Sequence, residues 1–180
     1  MILDPHFWIF PEIIDPELCN LIIEKGNKLP ATEGIAGGEV QHDKRKSMIA
    51  WFENTDWVSG LCSHYINLAN EQAWNFDITE PDGVQFTKYG IGEFYEAHVD
   101  TFKLSDNMRK LSLVIQLNSP DDYEGGEFFF FDDEKPWKPE NFEKQGSVIV
   151  FPSFLLHQVK PVTSGKRHSL VSWFVGPQMK

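Results

Sequence analysis

The chain has 180 residues, a formal net charge of -11 and an aromatic share of 14%. A chain of this length forms one domain that can bury a core without disulfide bonds or structural metals. Its acidic balance argues against nucleic acid as a partner, because non-specific affinity for phosphates depends on lysine and arginine.

The N-terminal segment, residues 1–10, lacks the basic start and the apolar core of a signal peptide. No window of the sequence has the apolar length of a membrane-spanning helix, so no membrane partner is expected. Cys19 and Cys62 are too few for a secreted disulfide framework, although one disulfide between them stays open. Both lie in apolar segments where a free thiol packs as a small hydrophobic group. These features predict a cytoplasmic protein.

The first predicted helix begins at Asp15, Pro16 and Glu17. These residues provide a capping side chain, a proline at the first helical position and an acid in the first turn. The helix should end within residues 26–30, where glycine and proline occur. Its apolar stripe consists of Leu18, Leu21 and Ile22.

A second helix is predicted for residues 55–74, after a loop and a strand. The loop, residues 31–46, is polar and rich in glycine, and it is either a disordered surface segment or a functional lid. The strand covers residues 48–52. The buried side of the second helix is predicted to contain Trp57, Leu61, Tyr65 and Leu68.

The second half of the chain, from residue 83 to residue 176, consists of short β-type runs separated by turn signals. This spacing indicates an antiparallel sandwich or barrel, with the helices of residues 1–82 packed on one outer face of a single domain. Residues 132–145 are charged and contain proline, which predicts a surface loop. The predicted strands cover residues 84–89, 94–98, 111–117, 127–131, 147–151, 155–159 and 168–175.

His98 and Asp100 form the first chemical signal. Residues two apart on an extended segment point to the same side, so this imidazole and this carboxylate can bind one ion. The pair alone is weak, but His157 lies in a separate predicted strand. Two histidines and one carboxylate suit non-haem iron(II) with open positions, whereas a structural zinc site would use four ligands and usually cysteine.

Arg167 follows His157 by ten positions and starts the last predicted strand. If that strand alternates, Arg167, Ser169 and Trp173 face one way and His168 faces the other. An arginine that points into a barrel is costly unless it meets an anion, and its planar fork matches a carboxylate. Ser169 could donate a further hydrogen bond to that anion. The simpler alternative is a solvated Arg167 or one paired with a protein acid.

An ordered set of motifs lies within residues 84–176, about half of the chain. The motifs are Tyr89-Gly90, Tyr95-Glu96-Ala97-His98-Val99-Asp100, Gly125-Gly126-Glu127, Gly146-Ser147, Phe151-Pro152, His157 and Arg167-His168-Ser169. Any one motif is unspecific, but the order and spacing of the set are specific. The set resembles the 2-oxoglutarate/iron(II) oxygenases, and within them the prolyl hydroxylase group.

The resemblance implies a double-stranded β-helix of the jelly-roll or cupin type, with supporting N-terminal helices. It implies that His98, Asp100 and His157 bind Fe(II), and that Arg167 binds the distal carboxylate of 2-oxoglutarate with help from Tyr89. O2 would be the second cosubstrate, and L-ascorbate is an optional addition. Such an enzyme hydroxylates an unactivated C–H bond and releases succinate and CO2.

Three further matches indicate the substrate. Tyr95, Arg109 and Trp173 lie where members of the prolyl hydroxylase group contact their target, which favours a proline-containing peptide or protein substrate. The plain alternatives are two core aromatics and a solvated strand-end charge. Collagen-type members generally have lysine where this chain has Arg167, which weakens a collagen-type assignment.

Two other functions stay open from the sequence. The first is the same chemistry on a free amino acid or another small molecule. The second is a non-enzymatic, cupin-like metal-binding module, which leaves an inward-facing Arg167 without explanation. A nucleic-acid demethylase on this scaffold is disfavoured by the acidic charge. The oligomeric state is not set by the sequence.

Overall fold

A computed structural model describes residues 5–101, 103–104, 106–133 and 135–178 of the chain. The helices in this part are α1 (Pro16–Asn27) and α2 (Trp57–Ala73), and a short 3-10 helix covers Pro120–Asp122. The strands are β1 (Trp8–Phe10), β2 (Thr32–Glu33), β3 (Arg45–Lys46), β4 (Met48–Phe52), β5 (Glu80–Tyr89), β6 (Phe94–His98), β7 (Lys103–Leu104), β8 (Asn107–Gln116), β9 (Tyr123–Gly125), β10 (Phe128–Asp132), β11 (Lys135–Trp137), β12 (Val148–Pro152), β13 (His157–Val159), β14 (Val162–Gly165) and β15 (Arg167–Pro177).

The strands form two main antiparallel sheets. The larger sheet has the order β1-β12-β8-β15-β5-β4-β2, with β7 beside β8, and the smaller has the order β11-β10-β13-β6-β3. One aromatic cluster contains buried side chains from both sheets, including Tyr89, Phe128, Phe130 and Phe151, so the two sheets face each other. The mainly β architecture with N-terminal helices, predicted from the spacing of the short runs, is confirmed.

The helices cover the outer face of the larger sheet and close a second core. Along β8, Leu111, Leu113 and Ile115 point into this helix-side core, whereas Ser112 and Val114 point to the opposite face. The period of two along a strand separates the two environments. The larger sheet is therefore apolar on its helix side and carries both polar and apolar groups on its inner side.

Helix α1 begins where the sequence predicts, and the Asp15 carboxylate accepts a hydrogen bond of 2.8 Å from the Glu17 N–H. The predicted stripe is partly wrong, because Leu21 is 49% exposed. Cys19, Ile22 and Gly26 are the buried residues. A Cβ at Gly26 would lie 2.6 Å from the ring of Phe86, so close contact with the sheet requires glycine there.

Helix α2 is also predicted correctly in position, but its buried face is rotated by about one residue. Trp57 is 42% exposed, and Leu61, Tyr65 and Leu68 are only partly buried. The apolar residues of this helix extend around about half of its circumference, so the pattern did not set the buried face. Close packing on the sheet selects smaller side chains. The fully buried apolar residues are Val58, Cys62, Ile66 and Ala69.

Both cysteines are buried free thiols rather than a disulfide pair. Burial raises the pKa of Cys19 to about 11 and the pKa of Cys62 to about 12. Neither thiol is therefore a reactive thiolate at neutral pH. No helix in the described part of the chain is long and apolar enough to cross a membrane.

The insertion at residues 132–145 is not simply a surface loop. Its segment Lys135–Trp137 pairs with β10, and Phe142 is only 3% exposed within the aromatic cluster between the sheets. Glu134 lies outside the described residues. A buried aromatic within a charged segment was the signal that the prediction overlooked. The other predicted strands agree with observed ones to within a few residues. The short strands of two to four residues that were not predicted are β1, β2, β3, β7, β9, β11 and β14.

The partly buried position of His168 predicts a pH-dependent stability. Its ring stacks on Phe86 at 5.7 Å, and burial together with Lys88 lowers the pKa of His168 to about 4. A solvated imidazole has a pKa of about 6.5, so between these values the unfolded chain binds a proton that the folded protein does not. The free energy of unfolding should therefore fall as the pH drops from 6.5 to 4, and His168→Phe should reduce that fall.

Urea unfolding of the metal-free protein at pH 7 and at pH 4.5 measures the effect. His64→Gln, at an exposed position of α2, is the matched control and should behave as the wild type. Equal losses of stability between pH 7 and pH 4.5 in His168→Phe and the wild type would show that His168 does not contribute to the pH dependence.

Candidate active site

Three titratable side chains converge at one end of the paired strands β6 and β13. His157 lies directly opposite His98 in the antiparallel register, and Asp100 follows two residues after His98. The Nε2 atom of His98 lies 3.6 Å from Asp100 Oδ1, and the Nε2 atom of His157 lies 3.5 Å from Asp100 Oδ2. The three ligand atoms lie within 4.8 Å of one another, and no other such group occurs in the described part of the chain.

The orientation of both imidazole rings is set by backbone carbonyls. His98 Nδ1 lies 2.7 Å from the Glu96 oxygen, and His157 Nδ1 lies 2.8 Å from the Leu155 oxygen. A carbonyl only accepts, so each Nδ1 carries the proton and each Nε2 offers a lone pair toward the cluster. Such support of a histidine through its second nitrogen is typical of metal ligands.

The protonation states also suit a divalent cation. Burial lowers the pKa of His157 to about 4, and the neighbouring His98 adds to this effect, so the imidazole of His157 is neutral at pH 7. Burial alone would raise the pKa of Asp100, but His157 and His98 hold the pKa of that carboxyl well below its usual range. A neutral imidazole and an ionised carboxylate are the forms that bind metals. With three protein ligands the arrangement fits iron(II) with open positions.

Arg167 is the most unusual buried group of the cavity, because only 2% of it is exposed. Its guanidinium carbon lies 5.8 Å from the ring centre of Tyr89, the residue opposite it in β5. No carboxylate among the described residues forms an ion pair with Arg167. A buried guanidinium without an anion is costly, so this position fits an anionic ligand such as the distal carboxylate of 2-oxoglutarate.

The alternation of β15 brings Ser169 and Trp173 to the same face as Arg167. His168 points to the opposite face and packs on Phe86 in the helix-side core. Ser169 is 1% exposed and Trp173 is 5% exposed. The strand thus carries one row of side chains, from Arg167 to Trp173, along the wall of one cavity.

One open cavity of about 360 Å³ contains every site residue that the sequence predicts. These nine residues are Tyr89, Tyr95, His98, Asp100, Arg109, His157, Arg167, Ser169 and Trp173. Apolar side chains, among them Val114, Phe128, Val159 and Val171, complete its inner wall. The structure therefore brings together groups that are far apart in the sequence.

The mouth of the cavity is formed by stacked aromatic and cationic groups. The Tyr95 ring stacks on His98 with a centroid distance of 3.5 Å. The Arg109 guanidinium carbon lies 3.9 Å above the ring centre of Trp173, and Arg109 Nε donates to Asp82 at 2.7 Å. Burial raises the pKa of Tyr95 to about 12, so its hydroxyl remains a hydrogen-bond donor at neutral pH.

Sequence reasoning missed Arg45, which is 6% exposed and lines the same cavity. Its guanidinium carbon lies 4.5 Å from the ring centre of Tyr95, its partner in the pairing of β3 with β6. Arg45 Nε donates to Ser47 Oγ at 2.9 Å, and Nη1 donates to the Ile35 carbonyl at 3.1 Å. Arg45 lies in a charged run, DKRK, where nothing in the sequence distinguishes the one buried cation.

Trp51 was also missed as a cavity residue. It is 46% exposed, lies opposite Gln85 in the larger sheet, and its ring centre is 6.2 Å from that of Trp173. An apolar residue in a predicted strand is ordinarily assigned to the core. Only the edge of the sheet at the cavity mouth explains why this indole remains exposed.

The described fold and the sequence are both similar to known oxygenases. The family model of the 2OG-Fe(II) oxygenase superfamily matches residues 84–175, about half of the chain. A PKHD-type hydroxylase of Prochlorococcus marinus is 37% identical over 91 residues, which is 51% of this chain and 40% of that protein. The matched stretch thus spans less than half of the length of this relative.

Two solved structures share the fold over almost the whole chain. A prolyl-4-hydroxylase of Pseudomonas putida has a TM-score of 0.75 at 22% identity, and 94% of this chain and 92% of that chain are covered. A prolyl hydroxylase of Trichoplax adhaerens, in complex with a peptide of the hypoxia inducible factor oxygen degradation domain, has a TM-score of 0.74 at 19% identity and covers 95% of this chain and 84% of that chain. The two facing sheets are therefore a double-stranded β-helix of the jelly-roll type.

The metal cluster predicts the effect of His157→Ala. Removing one of three ligands should abolish tight binding of Fe(II), and of Co(II) as its spectroscopic substitute, because two ligands cannot form the facial set. Anaerobic titration with Co(II), followed by its visible absorption, measures the affinity. His64→Gln is the control and should bind as the wild type does. Wild-type affinity in His157→Ala would exclude His157 as a ligand.

The position of Arg167 predicts that its removal weakens the binding of 2-oxoglutarate but not the binding of the metal ion. Arg167→Ala should weaken 2-oxoglutarate binding by about a hundredfold or more, because the charge-assisted bonds of a buried guanidinium are lost. Affinity for Co(II) alone should change little. Isothermal titration of the Co(II)-loaded wild type and variant with 2-oxoglutarate measures the two affinities. Succinate serves as a shorter competitor. Unchanged affinity for 2-oxoglutarate would place its distal carboxylate elsewhere.

Proposed function

This chain belongs to the 2OG-Fe(II) oxygenase superfamily, and we propose that it is an Fe(II)- and 2-oxoglutarate-dependent dioxygenase that hydroxylates a prolyl residue in a peptide or protein. The observation that carries the proposal is one cavity with two complementary features. It contains the cluster of His98, Asp100 and His157, and it contains Arg167, a buried cation for which the described residues provide no acid. Each feature fits one of the two groups that the family name implies.

Different residues would hold iron and 2-oxoglutarate. His98, Asp100 and His157 would hold iron, and Arg167 with Ser169 would hold the distal carboxylate of 2-oxoglutarate. Iron and 2-oxoglutarate, when bound, supply the oxidising power to insert one oxygen atom of O2 into a C–H bond, with succinate and CO2 as co-products.

Tyr89 is placed to assist Arg167 as a hydrogen-bond donor. It is 3% exposed, and burial raises the pKa of its hydroxyl, so the group remains protonated at neutral pH. A protonated phenol donates to a carboxylate, whereas a phenolate would repel it. The apolar side chains of Val114, Phe128 and Val159 line the same cavity as Arg167 and the histidines and limit water there.

The cavity mouth supports a peptide substrate. Tyr95, Trp51 and Trp173 line the cavity with aromatic side chains, and Arg109 adds a cation held by Asp82. A proline-containing segment is extended before binding, so an aromatic-lined groove can bind it with a small loss of entropy. The buried hydroxyl of Thr101 has no hydrogen-bond partner in the described part of the chain, so it can donate to or accept from a polar substrate group.

The segment of residues 31–46 contributes to the same mouth. Ile35, Gly37 and Gly38 line the cavity, and Arg45 anchors the segment through the Ile35 carbonyl. Both glycines have positive φ angles, 59° and 89°, which other residues rarely adopt. We propose that this segment acts as a lid that contacts the peptide, since its residues line the cavity that contains the metal cluster.

The first test is turnover of proline-rich peptides with Fe(II), 2-oxoglutarate, O2 and ascorbate. Mass spectrometry should detect one added oxygen on proline that depends on 2-oxoglutarate, with succinate formed in parallel. Trp173→Ala and Arg109→Ala should each raise the peptide KM by about tenfold, the equivalent of about 1.4 kcal/mol, because aromatic and arginine contacts dominate such interfaces. The KM for 2-oxoglutarate should stay within twofold.

Trp57→Ala is the matched control, since Trp57 is exposed at the start of α2 and does not line the cavity. Succinate without oxidised peptide would keep the oxygenase chemistry and replace the prolyl peptide by a free amino acid or another small molecule. Unchanged peptide KM values in both variants would remove these two residues from the substrate site.

A further inference from the structure

Two fully buried serines lie behind the proposed metal ligand Asp100. Ser112, in the middle of β8, places its Oγ 2.8 Å from Asp100 Oδ2. Ser153, in the turn that follows β12, places its Oγ 2.9 Å from the Ser112 Oγ. Both side chains are 0% exposed, so no solvent competes for these hydrogen bonds. The two hydroxyls and the carboxylate form one short chain of hydrogen bonds.

The direction of this chain follows from the chemistry of its end. A carboxylate that ligates a metal is ionised and can only accept hydrogen bonds. Ser112 must therefore donate its single hydroxyl proton to Asp100 Oδ2. Since that proton is used, the Ser112 oxygen accepts the proton of Ser153. The order is Ser153 to Ser112 to Asp100, and each donation strengthens the next.

Ser153 also links the segments that carry the site. Its carbonyl accepts hydrogen bonds from the N–H groups of Asp100 at 2.8 Å and Thr101 at 2.9 Å, and its own N–H donates to the Lys110 carbonyl at 2.9 Å. His157 follows in the same turn and strand. One residue thus connects β8, the segment after β6 and the segment before β13.

We propose that Ser112 and Ser153 are positioning residues for the metal, which hold Asp100 Oδ2 and leave Oδ1 to ligate the ion. The inference rests on the proposed function, because it takes the cluster of His98, Asp100 and His157 as the iron site. A hydrogen bond to one oxygen restricts rotation of the carboxylate about its last bond, so Oδ1 keeps its place 3.6 Å from His98 Nε2 while Oδ2 lies 3.5 Å from His157 Nε2. Hydrogen bonds to ligands commonly change metal affinity by about ten- to a hundredfold.

The test measures Co(II) affinity without any cosubstrate. Ser112→Ala removes the bond to Asp100 and should raise the Kd for Co(II) by about tenfold or more, with a changed visible absorption of the bound ion. Ser112→Thr keeps the hydroxyl and should restore most of the affinity. Ser172→Ala is the matched control, because Ser172 is also 0% exposed and bonded, but to the Gly83 carbonyl at 2.9 Å and away from the cavity.

Ser153→Ala provides a second and milder variant, because it leaves the Ser112 bond to Asp100 in place. It should raise the Kd by a smaller factor than Ser112→Ala, and it decides the question if Ser112→Ala does not fold. Urea unfolding of the metal-free variants separates the two roles. A lower unfolding midpoint with wild-type Kd and wild-type absorption in Ser112→Ala and Ser153→Ala would overturn the inference.

Failure of the inference about the serines can be distinguished from failure of the proposed function. A wild-type protein that binds no Co(II) would overturn both the iron site and this inference. A wild-type protein that binds Co(II) but oxidises no peptide would remove the prolyl substrate alone, and the comparison of Ser112→Ala with Ser112→Thr would still decide the role of the serines.

Discussion

The antiparallel pairing of β6 with β13 is the constraint on which the candidate site depends. It sets His157 opposite His98, and the chain that leaves β6 then carries Asp100 into the same space. A shift of this register by one residue would turn His157 to the other face of its sheet and separate the three groups. The three ligand atoms thus come within 4.8 Å of one another at the end of these two strands, next to a register irregularity between His157 and Val159.

The polar groups of the cavity fall into two classes, those with a hydrogen-bond partner in the protein and those without one. This difference explains how the cavity can be rigid and still bind ligands. In the first class the protein satisfies the group itself: backbone carbonyls bond His98 and His157, and Ser112 bonds Asp100. These groups form a fixed frame. In the second class the described residues provide no partner, as for the charge of Arg167 and the hydroxyl of Thr101. Because a buried polar group without a partner is costly, these two groups, which both line the cavity, mark where ligands are expected.

The errors of sequence reasoning share a cause. For α2 the pattern placed Trp57 on the buried side, whereas contact with the sheet selects Cys62 and Ile66. For residues 132–145 the charge suggested a surface loop, whereas Phe142 enters the core between the sheets. In both cases the pattern was compatible with several arrangements, and the choice among them depends on the shape of a distant partner that the local sequence does not describe.

The sequence by itself determined the β-rich second half, the positions of both helices and the chemical types that a metal and an oxoacid require. These are local properties: strand alternation, capping at Asp15 and the spacing from His98 to Asp100. Only the tertiary structure decided that Arg45 is the buried cation of its charged run, and that Ser112 and Ser153 stand behind Asp100. These are contacts between segments far apart in the chain, and the register of the sheets, rather than the residues' neighbours in sequence, fixes them.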